Sequence, residues 1–115
     1  MGKQIPIQPP RVVSQAALAN SVQASASGCL VFGLSGYNSK ASAQFIQLHD
    51  ASTTPADTAV PVFNMTVPSL SNFSVDFGLA GMPFVNGVYV CNSSTAPTKT
   101  IGSADCQFFV LETLP

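Results

Sequence analysis

From residue 28 onward the chain reads as short apolar runs set between turn-forming residues. Cys29-Leu30-Val31-Phe32-Gly33-Leu34 is apolar throughout, and the turn-favouring pairs Ser35-Gly36 and Asn38-Ser39 close it. Residues 43–49, Ala-Gln-Phe-Ile-Gln-Leu-His, alternate polar and apolar, as a half-buried strand does. Strand character resumes over residues 60–67, where Pro61 marks an edge or a strand start. Residues 72–78 alternate strictly and put Phe73, Val75 and Phe77 on one face. Residues 84–91 predict a further strand, bulged at Gly87, and residues 106–111 predict the last. The stretches 53–57 and 95–99 read as loops. About six or seven short strands with turn signals every ten residues or so predict an all-β domain, an antiparallel jelly-roll-like β-sandwich.

The first 27 residues differ. Ile5-Pro6-Ile7-Gln8-Pro9-Pro10 cannot be helical, because proline fixes φ and holds its predecessor extended. Residues 14–20 suit a short capped helix, a loop or an edge strand equally. The division expected is an extended N-terminal arm over residues 1–27, most clearly up to Arg11, and a β-sandwich domain over residues 28–115. Stretched out, eleven residues reach on the order of 35 Å, far enough to lie across a neighbouring subunit. Ile5, Pro6, Ile7, Pro9, Pro10 and Arg11 are the candidate partner-contact residues, being pre-extended and therefore cheap to order.

Composition narrows the function. At 115 residues the chain is one domain in size, and 46% of it is hydrophobic. Only 8% is charged, against about 25% in ordinary soluble domains. Charge is depleted at the centres of protein–protein interfaces, so a surface this poor in it suits contact with other subunits. The four Lys and Arg residues are scattered and the net charge is −1, which argues against nucleic acid. No apolar run approaches the roughly 20 residues of a membrane-spanning helix. The opening Met-Gly-Lys-Gln-Ile-Pro lacks the apolar core of a signal peptide. Cys29, Cys91 and Cys106 show no metal-site spacing and read as small buried hydrophobes, the thiol form fitting a reducing compartment better than a disulfide.

Catalytic chemistry finds little to work with. His49 is the one histidine, and its neighbour Asp50 points to the other face of a strand. Asp50, Asp57, Asp76, Asp105 and Glu112 stand singly along the chain, in places where a carboxylate accepts from nearby turn amides. No DxDxDG loop marks a calcium site, and the glycines form no phosphate-binding pattern. No catalytic residue, metal or cofactor is therefore expected. Three Asn-x-Ser/Thr triplets begin at Asn64, Asn72 and Asn92, and chance matches are common in so Ser/Thr-rich a chain. Phe73, Phe77, Phe84, Tyr89, Phe108 and Phe109 would have to be exposed to form a sugar platform; burial of Phe73, Phe77 and Phe84 goes with a core.

Ala43-Gln44-Phe45-Ile46-Gln47-Leu48-His49-Asp50, then Val75-Asp76-Phe77-Gly78, then the run from Gly87-Val88-Tyr89-Val90-Cys91 to Thr98-Lys99-Thr100 resemble small β-sandwich accessory proteins of tailed-bacteriophage virions. The resemblance covers about residues 28–110. It implies a capsid decoration (cement) protein that binds and stabilises the capsid exterior, made in the bacterial host cytoplasm and ending in the virion. The partners implied are the major capsid protein or other virion proteins, with self-association as a homo-oligomer, a trimer in first place. A neck, tail or fibre component is the alternative within the same class; a carbohydrate-binding module is the alternative outside it.

Overall fold

The computed structural model describes residues 10–113. Among them the chain forms nine strands and no helix: β1 (Arg11–Ala19), β2 (Ser21–Ser25), β3 (Cys29–Asn38), β4 (Gln44–His49), β5 (Phe63–Val67), β6 (Ser71–Asp76), β7 (Met82–Phe84), β8 (Val88–Ser93) and β9 (Cys106–Thr113). They pair antiparallel in two sheets, one ordered β1-β9-β3-β6 with β7 also on β3, the other ordered β2-β8-β4-β5. The pairings nest: β4 with β5, β3 with β6, β2 with β8, β1 with β9. A long hairpin rolled up in this way, with β3 then meeting β9 and β4 meeting β8, is a jelly roll.

Alternation decides what lies between the sheets. Val31 and Leu34 from β3, Ile46 and Leu48 from β4, Val88 and Val90 from β8, and Phe108 and Val110 from β9 are all at most 2% exposed. Phe73 packs on Phe108 with ring centroids 6.4 Å apart, and Phe63 meets Phe77 edge-on at 5.1 Å. Phe73 and Phe84 are buried and Phe77 is half-buried, as a core requires.

The structure departs from the sequence reading in three places. Residues 11–25, expected within an extended arm, are β1 and β2 and belong to both sheets, so the sandwich begins near Arg11 rather than at residue 28. The stretch is uncharged after Arg11 and pairs with β9 and β8, partners far away in the sequence and invisible to local propensity. Second, β3 does not turn at Ser35-Gly36 but runs on to Asn38. Gly36 is needed there for close approach: a Cβ would stand 2.0 Å from the Gln107 carbonyl oxygen and 2.5 Å from the Phe73 ring. Third, the strand expected over residues 84–91 breaks in two around 85–87. At that break the Asp50 carboxylate accepts from the amides of Val85, Asn86 and Gly87.

Candidate protein interaction face

The outer faces of the two sheets are treated in opposite ways. The β2-β8-β4-β5 sheet is covered by its own loops, residues 51–62 and 94–105. They are tied together by Lys99, which is 3% exposed. Its Nζ donates to the Pro55 carbonyl at 2.7 Å and lies 3.4 Å from Asp57 Oδ1. The Lys99 amide donates to Ala59 and its carbonyl accepts from Thr58. Beneath this cover, Gln47 Nε2 donates to Asn64 Oδ1 and to the Thr95 carbonyl, both at 3.2 Å. Gln47 is fully buried and His49 nearly so.

The candidate catalytic residues therefore have structural work. His49 Nε2 lies 3.1 Å from Gln47 Oε1. Burial, and secondarily the positive charge of Lys99, lower its pKa below the ordinary 6.5. Asp50 caps the turn at 85–87, Asp57 accepts from the Ile101 amide and Lys99, Asp76 accepts from the Gly78 amide, and Asp105 accepts from the Ser103 hydroxyl. Among the described residues no three His, Cys, Asp or Glu side chains gather as a metal site. Cys29, Cys91 and Cys106 are free and buried, and desolvation pushes each thiol up to about 11.

The β1-β9-β3-β6 sheet is open on its outer face. Leu111 alternates there with the inward Val110 and Glu112, and Leu30 with Cys29 and Val31. The β3–β9 register slips between Val31 and Gly33, leaving Phe32 as the extra residue of a bulge. The result is an open groove of about 780 Å³ that crosses the sheet from Pro10, through Leu111, Leu30 and Phe32 and past Asp76 on β6, to Leu79 beyond β6. Leu79 is fully exposed at 101%. Of the described residues lining the groove, Asp76 carries the one charge. Two smaller hollows continue along the same face past Phe109 and Tyr37.

The candidate contact residues divide. Ile5, Pro6, Ile7 and Pro9 lie outside the described residues. Pro10 sits at one end of the groove. Arg11, expected to face a partner, turns back into its own domain: its guanidinium donates to Glu112 Oε2 at 3.1 Å and to the Ala24 carbonyl at 3.3 Å. It thereby joins β1, β9 and β2. Leu30, Phe32, Leu79 and Leu111 were not singled out from the sequence. The signal was present, since Cys29 to Phe32 and Phe108 to Leu111 are apolar at consecutive positions, and such runs make both faces of a strand apolar.

No protein-family model matches the chain, and no curated protein matches it. Solved structures do. A crystal structure of the Tobacco streak virus coat protein superimposes with a TM-score of 0.52 at 11% identity, covering 98% of this chain and 90% of that one. A second structure, of the dimer of that coat protein, gives a TM-score of 0.52 at 10% identity over 99% and 90%. What the chains share is the fold. This chain has the β-sandwich fold of a viral coat protein, along nearly its whole length.

Proposed function

We propose that this chain is a structural protein of a virus particle, held in place by protein–protein contact. The observation that carries the reading is the nested jelly-roll pairing, which aligns with a coat protein over almost all of both chains. The open, nearly charge-free face of the β1-β9-β3-β6 sheet supports it, since that face offers contact area and no chemistry. Carboxylates and a histidine committed to turns and loop packing suit a protein with no catalytic step.

The finer reading is a decoration protein on the exterior of a tailed-phage capsid, with the major capsid protein as its partner. It draws on the resemblance of residues 28–110. A subunit that bridges two shell proteins stabilises the assembled state by its own binding free energy, about 2.7 kcal/mol at a hundredfold excess over Kd. The low basic charge favours decoration over a genome-wrapping coat, because phosphate contact needs clustered Lys and Arg. A shell-forming subunit is the second reading, favoured by the breadth of the structural match.

The test is the protein content of purified particles, followed by a reconstruction that shows where the chain sits. A decoration protein occupies the outer surface in many copies, adds to preformed shells, and raises their melting temperature. Assembly of the chain alone into closed shells would favour the second reading. Absence from particles would overturn both.

A further inference from the structure

We infer that the groove on the outer face of the β1-β9-β3-β6 sheet receives the Ile5-Pro6-Ile7-Gln8-Pro9 segment of a neighbouring copy of this chain, so that copies are linked arm to groove.

Four observations converge on this occupant. The described chain begins at Pro10, and Pro10 lines one end of the groove, so the nine residues before it start from the groove's own rim. The lengths agree. From Pro10, next to β1, the groove crosses β9 and β3 to β6, three spacings of about 4.8 Å or roughly 14 Å, while five residues in the extended geometry favoured by proline span about 15 Å. The chemistry agrees as well: Ile5, Pro6, Ile7 and Pro9 are apolar, like Leu30, Phe32, Leu79 and Leu111. The charges are complementary, because Asp76 is the one charge among the described residues lining the groove and Lys3 is the one charged side chain in residues 1–10.

A neighbour's groove is favoured over the chain's own. Folding back would require a sharp turn at Pro9-Pro10, where both φ angles are fixed and Pro9 is held extended by its successor. On that account the inferred occupant of the groove comes from another molecule. Arm-to-groove contact is head-to-tail, so it closes into rings when the rotation allows and extends into filaments when it does not. A trimeric ring is the smallest closed form in keeping with the expected oligomer.

The experiment uses two full-length variants and sedimentation velocity. Ile5→Asp/Ile7→Asp disables the arm, and Leu79→Asp/Leu111→Asp disables the groove; Leu79→Asp alone changes a fully exposed side chain and serves where the double variant melts early. The wild-type chain is expected to associate. Each variant alone should associate at least about tenfold more weakly, because a carboxylate enters an apolar contact. Mixing the two variants should restore a one-to-one complex, since each supplies what the other lacks. A monomeric wild type, or variants that associate undiminished, would overturn the inference. Two monomeric variants with no recovery on mixing would place the arm in its own groove, and that too overturns it. The inference builds on the proposed contact role of the arm, yet it is read on the purified chain. A chain that links arm to groove but never enters particles refutes the proposed function and leaves this inference standing.

Discussion

Arg11 opens β1 and Glu112 lies near the end of β9, and the guanidinium of the first meets the carboxylate of the second at 3.1 Å across the sheet. Arg11 is half exposed while Glu112 is fully buried, and Glu112 Oε1 has no hydrogen-bond partner among the described residues. Burial raises the Glu112 pKa above its ordinary 4.5, and the hydrogen bond and charge of Arg11 pull it part of the way back.

Arg11→Met is therefore expected to destabilise the domain at neutral pH. Removing one partner of a fully buried pair costs about 3–5 kcal/mol, and solvent around Arg11 reduces that to about 1–2 kcal/mol. The sign of the pH dependence follows from the raised folded-state pKa. The Glu112 contribution is fully present below pH 4.5 and is lost as pH rises through the higher folded value. Arg11→Met raises that value further and deepens the loss, whereas Glu112→Gln removes it. Urea melts at pH 4 and pH 7 check this; equal stability differences between wild type and Arg11→Met at the two pH values would contradict it.

His49 should titrate below 6.5, and as the one histidine it is unambiguous by proton NMR. A depressed histidine pKa contributes stability above 6.5 that is lost as pH falls through the folded value. Lys99→Met removes the second cause of the depression and should move the titration part of the way back up. The same substitution leaves the Pro55 carbonyl without its ammonium donor, at a cost of about 1–3 kcal/mol measured by thermal melting.

All three thiols should be inert in the folded protein. With each pushed to about 11, the thiolate fraction at pH 8 is small and the side chains are buried. Titration with a chromogenic disulfide should find three thiols in denaturant and almost none without it. Fast native labelling of any one of them would show that its strand opens.

Gly36→Ala tests the closest backbone approach in the sandwich. The added methyl meets the Gln107 carbonyl and the Phe73 ring, neither of which can withdraw without disturbing β9 or the core. A loss of about 2–3 kcal/mol is expected, in the range of overpacked cores. Gly33→Ala is the control, because its Cβ meets nothing closer than the Val75 carbonyl oxygen at 3.5 Å.

Most strands were legible in the chain because alternation is local. Phe73, Val75 and Phe77 declare an inward face whatever lies opposite, and Phe108 and Val110 do the same. The all-β class and the sandwich follow from such runs and the turns between them. The single histidine and isolated carboxylates likewise showed that a catalytic group had few materials. What local pattern cannot carry is who pairs with whom. Residues 11–25 are polar and small enough to pass for an arm, and they become strands because β9 and β8 return from the far end of the chain to hydrogen-bond with them. Arg11 looked like a surface contact for the same reason: its partner is Glu112, 101 residues away. The difference between the two outer faces is also tertiary. Loops at 51–62 and 94–105 fold over one sheet, while the other keeps an open groove between Pro10 and the loop at 78–79. Leu30, Phe32 and Leu111 lie in runs that are apolar on both faces, but only the rolled topology sets them side by side with Leu79 on a face left open.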